Sequence, residues 1–231
     1  MLQLVLELRR QNVKITWFGE ERDIPLPAGV TTVSPWIDMT HSSPSCESNA
    51  DFDYLPSLSG LDTLQLPKCP AWPTDPPRKA LYVADSLITH PLVTLLMAQS
   101  WEGAPPVYVC TGWELLSDED KLIARKLHQD GVRVVFEEYE GMPHCFAMVF
   151  PKNPGSKRCI EGWIGFIEKA VTDPSSIASK FTSVKAKTVE EIDLEPEKLG
   201  PYAEQEMKRR IYEKAGINVP AQSAGDSIAK L

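Results

Sequence analysis

Two β-branched runs separated by one helical stretch constrain this chain more than any other feature. Pro105-Pro106-Val107-Tyr108-Val109-Cys110-Thr111-Gly112 reads as a strand, and so does Val132-Arg133-Val134-Val135-Phe136-Glu137. Between them, Ser117-Asp118-Glu119-Asp120 has N-cap chemistry with acids in the first turn. Leu122, Ile123, Ala124 and Leu127 then supply an apolar face as far as about Gln129, and Gly131 is placed as a stop. A right-handed crossover makes two such strands parallel and near neighbours. The loops that follow them then emerge at the same carboxyl edge, where open α/β sheets place their sites.

The remaining chain extends this pattern. Residues 1–12 read as a helix whose leucines fall on more than one face, as in a helix buried within a protein. Residues 13–28 read as a connection, and Gly29-Val30-Thr31-Thr32-Val33-Ser34 as a short buried strand ended by Pro35. Residues 35–80 are rich in Pro, Ser, Asp and aromatics with no sustained period, so a long functional or partly helical loop is expected. Val93–Trp101 is helix-like, Gly141–Phe146 is a loop, and residues 157–171 form an amphipathic helix. From about Thr172 Ser, Lys, Glu and Pro dominate. Residues 172–231 therefore read as a polar tail with one helix at Pro201–Ala215, opened by a proline and closed by Gly216. The expected class is α/β, with a domain over residues 1–171 and the tail beyond it.

The chain has 231 residues and a net charge of -8, which opposes strong nonspecific binding to nucleic acid or to an anionic membrane. Its five cysteines are odd in number, irregular in spacing and contain no C-x-x-C pair. That argues against a disulfide framework or a zinc site and for a reducing, intracellular and cytoplasmic setting. The apolar start at Met1–Leu8 is interrupted by Glu7, followed by Arg9-Arg10 and preceded by no basic region, so it fits neither a signal peptide nor a membrane span. No metal or organic cofactor is expected, and the oligomeric state is left open.

Glu114 lies just past the strand ending near Gly112, and His144 a few residues past the strand ending near Glu138. The predicted topology brings both to one sheet edge. In a catalytic triad a carboxylate bonds one ring nitrogen, and the other nitrogen takes the proton of the nucleophile. Taken singly, Glu114 reads equally as a solvated loop carboxylate and His144 as a loop histidine bonded to backbone.

The surrounding segments bear on this choice. Ser34-Pro35-Trp36-Ile37-Asp38-Met39-Thr40, His90-Pro91-Leu92-Val93, Thr111-Gly112-Trp113-Glu114-Leu115-Leu116-Ser117-Asp118-Glu119 and Gly141-Met142-Pro143-His144-Cys145-Phe146 occur in that order. Together they resemble the hormone-sensitive-lipase branch of the α/β-hydrolases, the fold-3 esterases and lipases, from residue 1 to about residue 171. The resemblance implies a partial α/β-hydrolase fold, the C-terminal portion only. It also implies a carboxylic-ester hydrolase acting through a serine acyl-enzyme on small to medium apolar esters. It makes Glu114 the triad acid, where the family more often has Asp, and His144 the base. Asp118, one turn later, is the rival acid and reads as a helix-dipole partner. Asp38 and His90 become framework residues, and His41 and His128 ordinary surface histidines. Trp36, Trp72, Trp101 and Trp113 read either as pocket walls or as plain packing.

The H-G-G-G-type oxyanion loop and the G-x-S-x-G elbow of that family do not occur in this sequence. Ser57-Leu58-Ser59-Gly60 lacks the leading glycine and a following helical pattern, so no nucleophile is assigned. The start resembles the helix that follows the elbow, which implies a chain cut just after the serine, with Val30–Val33 at an unpaired sheet edge. The alternative is a catalytically inactive remnant acting as a binding or structural protein. Ala229-Lys230-Leu231 is a variant of the S-K-L peroxisomal address.

Overall fold

The computed structural model describes residues 1–57, 67–78 and 80–218. Helix α1 (Leu2–Arg10) opens the chain, with only Gln3 and Leu6 of its length buried. Its other apolar residues are half-buried, so the helix lies at the border of the core rather than within it. Strands β1 (Lys14–Trp17) and β2 (Glu20–Asp23) then pair antiparallel, with Trp17 opposite Glu20. The two-residue link, Phe18-Gly19, has φ of 51° and 81°. Both values lie in the left-handed region, as the tight hairpin turn requires. This hairpin occupies the stretch expected to be a plain connection.

The central sheet has five strands: β3 (Val30–Val33), β4 (Val107–Gly112), β5 (Val134–Tyr139), β6 (Lys180–Val184) and β7 (Glu191–Asp193), side by side in that order. β3 to β6 run parallel, and β7 closes one edge antiparallel to β6. β3 is the strand at the other edge, paired with β4 alone among the described residues. The two central runs expected as strands are therefore neighbours in parallel, with Gly112 level with Tyr139.

β4 is buried at every position. Its side chains alternate between two cores, the period-two consequence of the pleat. Val107 and Val109 join Val134, Phe136 and Leu122, Ile123 and Leu127 of the crossover helix on one side. Tyr108 and Cys110 join Tyr139, Cys159, Phe166 and Ala170 on the other. A parallel strand covered on both faces has this composition.

Helices occupy both faces. After the short α2 (Ser45–Ser48), α3 (Ser117–Gln129) crosses from β4 to β5 and is followed by Gly131 at φ 76°. The single turn α4 (Phe146–Val149) leads to α5 (Pro154–Thr172). Asn153 caps α5, its side chain accepting from Gly155 N at 2.8 Å with Pro154 at the first helical position. This cap places the helix start three residues before the expected one. Val93–Trp101 is apolar because it is buried, not because it is helical; only Leu95–Met97 makes a single tight turn.

The described residues beyond Thr172, 173–218, are more ordered than a polar tail. They add β6 and β7 to the sheet and end in α6 (Glu204–Ala215), closed by Gly216 at φ 70°. Met207 and Ile211 of α6 are buried in the α3-side core. Arg125 donates to the carbonyl of Leu199 at 2.7 Å, and Lys126 pairs with Glu204 at 2.7 Å. Few large apolar residues suffice because Ile177, Phe181, Val184, Leu199, Met207 and Ile211 are buried against the two cores. No helix among the described residues is long and apolar enough to cross a membrane. Ser59 and Ala229–Leu231 lie outside the described residues.

Candidate active site

The turn after β4 buries Glu114 completely. One carboxylate oxygen, Oε1, accepts from Thr111 Oγ1 at 3.0 Å and from Gly112 N at 3.2 Å. The other, Oε2, lies 2.7 Å from His144 Nδ1. An ionised carboxylate only accepts, so Nδ1 carries the proton and Nε2 of the neutral ring is left as the acceptor. The ring of His144 is one-fifth exposed, against none for its partner. The acid is thus fixed inside and the imidazole reaches the surface.

The two loops are held against each other by backbone packing. A Cβ placed on Gly112 would lie 2.0 Å from the carbonyl oxygen of Met142. Only glycine allows the strand end to approach the histidine loop this closely. Asp53, from the long loop, adds a second tie: it accepts from Leu115 N at 2.9 Å and from His144 N at 3.2 Å. Asn49 donates to the carbonyl of Glu114 and to Ser117 Oγ, both at 3.0 Å. Ser34, past the end of β3, accepts from Cys145 N at 3.0 Å, and Cys145 itself holds φ at 51°. Tyr54 sets its ring edge-on to His144. Asp53 and Asn49 carry no motif and are visible only in the folded arrangement, and the tie from Ser34 to the histidine loop is likewise seen only there.

Burial of the imidazole opposes its charged form. The hydrogen bond and charge of Glu114, with the charge of Asp53, outweigh that and raise His144 above its ordinary value of 6.5. Asp118 is tied elsewhere, accepting from Ser45 N at 2.9 Å within the first turn of α3, and does not reach the imidazole. Asp38 is a buried bracket for its own loop, accepting from Thr40 and Ser42 through both main chain and hydroxyls. His90 Nδ1 accepts from Leu92 N at 3.1 Å, a local turn contact. His41 is not an ordinary surface histidine: it stacks on Trp36, and burial lowers its pKa. His128 stands edge-on to Phe181. Trp101 is buried, and Trp113 packs edge-on to Phe52.

Two further acids stand behind the pair on α3. Glu119 is fully buried and accepts from Ile37 N at 2.6 Å and Asp38 N at 3.0 Å, which ties the loop after β3 to α3. Burial, reinforced by the charge of Asp38, pushes its pKa well above the usual carboxylate range. Asp120 is also fully buried, and neither of its oxygens has a hydrogen-bond partner. Burial and the charges of Glu114 and Glu119 push it well up. The Thr111 hydroxyl lies near Asp120, yet its one proton goes to Glu114. Among the described residues no group of three or more His, Cys, Asp or Glu could hold a metal ion. An open cleft of about 720 Å³, lined by residues including His41, Pro44, Tyr202, Arg210 and Lys214, lies apart from Glu114 and His144.

Residues 2–148 match the family described as alpha/beta hydrolase fold. Among curated proteins the chain is 27% identical to an acetyl-hydrolase of Streptomyces hygroscopicus over 147 residues, covering 63% of this chain and 44% of that protein. It is 29% identical to an esterase of Acinetobacter venetianus over 145 residues, covering 58% and 40%. The chain thus spans less than half the length of these relatives. Among solved structures it is similar to an esterase from the bacterial hormone-sensitive lipase family, with 24% identity, a TM-score of 0.51 and coverage of 74% and 49%. It is also similar to a hormone-sensitive lipase from a metagenome library, with 21% identity, a TM-score of 0.55 and coverage of 74% and 49%. At these identities the structures speak to the fold.

Proposed function

This chain belongs to the α/β-hydrolase fold family, and on that premise we propose that it supplies the acid and the base of a carboxylic-ester hydrolase. Glu114 is the acid, which orients the imidazole and stabilises its charged form. His144 is the base, which through Nε2 accepts the proton of a serine attacking an ester carbonyl. The resulting acyl-enzyme is then hydrolysed by water activated at the same nitrogen. The contact of 2.7 Å between Glu114 Oε2 and His144 Nδ1 carries this reading, because the acid is fully buried and its second oxygen is already held by Thr111 and Gly112. Such a carboxylate has one free direction, and the imidazole occupies it.

The serine has no counterpart here, since the sequence contains no G-x-S-x-G. The proposal therefore concerns the activity of a longer hydrolase in which these residues fill two of the triad roles. Small to medium apolar acyl esters are the proposed substrates, and the chemistry needs no metal or organic cofactor. An intracellular, cytoplasmic site of action fits the cysteine usage, and peroxisomal targeting through Ala229-Lys230-Leu231 is the alternative.

The test is p-nitrophenyl ester hydrolysis by this chain and by a version extended with the coding sequence upstream of Met1, each beside its His144→Ala variant. The extended protein should hydrolyse the ester, and His144→Ala should lower kcat by about 10³-fold or more. The short chain should show no His144-dependent turnover. Turnover by the short chain that disappears in His144→Ala would overturn the absence of a nucleophile. An extended protein indifferent to His144→Ala would overturn the triad.

A further inference from the structure

On the side of the sheet away from α3, Cys110 of β4 and Cys159 of α5 place their sulfur atoms 3.3 Å apart. Both residues are fully buried. We infer that Cys110 and Cys159 form a dithiol site that a small hydroperoxide oxidises to an intramolecular disulfide. A disulfide bond is about 2.05 Å long, so closure asks for about 1.2 Å of approach between a strand and the helix packed on it.

The surrounding groups distinguish the two sulfurs. Tyr108 Oη and Tyr139 Oη both donate to Glu137 Oε2 at 2.7 Å, and Arg158 holds the other oxygen of Glu137 at 3.0 Å. The tyrosine protons are thereby committed, although the Tyr108 hydroxyl also lies 3.9 Å from Cys159 Sγ. Cys110 Sγ is therefore the nearest polar neighbour left to Cys159 Sγ, and either thiol can donate across the contact. In keeping with this, the Cys159 thiol is lowered, chiefly by the bond with Cys110, while burial and that same bond raise Cys110. Within the proposal Cys159 is the attacking sulfur and Cys110 the resolving thiol.

The chemistry balances with one peroxide. The Cys159 thiolate attacks a peroxide oxygen, the O–O bond breaks, and the products are a Cys159 sulfenic acid and hydroxide. The hydroxide takes the proton of Cys110 and becomes water. The Cys110 thiolate then attacks Cys159 Sγ and expels a second hydroxide, which takes up the proton first released by Cys159. Two thiols and one hydrogen peroxide thus give one disulfide and two waters. Peroxide is small enough to reach a buried pair through local opening, which makes the reaction slow but specific. The product ties the strand that precedes Glu114 to the helix that follows the His144 loop.

The test exposes the full chain to hydrogen peroxide, blocks remaining thiols in denaturant, and maps non-reduced peptides by mass spectrometry. The expected result is a peptide joining Cys110 to Cys159, about 2 Da lighter than the two thiol peptides together and separated again by dithiothreitol. The same treatment of the chain unfolded in denaturant should lose the preference and scatter linkage over all five cysteines. In a Cys159→Ser variant Cys110 should stay a thiol. Should that variant fail to fold, the wild-type map decides alone. Free thiols at both positions after peroxide, or stable sulfinic acid at Cys159 beside free Cys110, would overturn the proposal.

Discussion

Gly112 and Met142 meet backbone to backbone, at a distance where a single added methyl would collide with the Met142 carbonyl. One residue lies at the end of β4, before the acid, and the other lies two before the histidine. Gly112→Ala should therefore push the loops apart and destabilise the fold by about 2 kcal/mol or more, as overpacking does. Gly165→Ala is the matched control, since its Cβ would meet nothing within 4 Å in the middle of α5. It should be neutral or stabilising by up to about 1 kcal/mol. Urea unfolding of the two variants checks both; equal stability would show that the approach is not tight.

His144 should titrate above 6.5, and Glu114→Gln should bring it down, as followed by NMR of the ring protons. A raised value in the folded state sets the sign of the stability effect. The contribution is fully present below the unfolded value near 6.5 and is lost as pH rises through the higher folded value. Unfolding free energy should accordingly fall across that window in the wild type and not in His144→Ala. A pH slope shared by both proteins would assign the effect to another group.

Asp53→Ala removes the acceptor of two main-chain N–H groups at once. The loss should amount to about 1–3 kcal/mol. Amide exchange is the more specific measurement: Leu115 and His144 should lose protection together, while β4 keeps its own.

Asp120→Asn should stabilise the protein at neutral pH. The folded carboxyl has its pKa raised by burial, so it resists ionising while the unfolded chain ionises near 3.8. Stability attached to this group is present below that value and drains as pH rises towards the folded one. The gain of the amide should thus grow between about pH 4 and pH 7 and vanish below it. A gain independent of pH would mean that shape, not charge, is responsible.

The parts of the fold that could be read in advance are those where burial and local preference agree. Val107, Val109, Val134 and Phe136 are β-formers that also face the core, and α3 has its acids at one end and Gly131 after the other. The β1–β2 hairpin was not readable as strands because Lys14, Thr16, Glu20 and Arg22 are exposed with no alternation; the Phe18-Gly19 turn was the available signal. β6 was hidden in a polar stretch because Thr182, a polar residue, is one of its buried positions. Glu114 and His144 could be singled out because each follows a recognisable strand and lies in a segment that resembles the fold-3 esterases. Asp53 could not, since it reaches them from a loop whose course no periodicity foretells.

One carboxyl group, that of Asp53, grips the main chain of both loops, so neither can drift without the other. Ordering an acid against an imidazole has an entropic cost that must be met somewhere. Here it is met when the chain folds, so that under the proposed function a reactant would meet a pair already aligned.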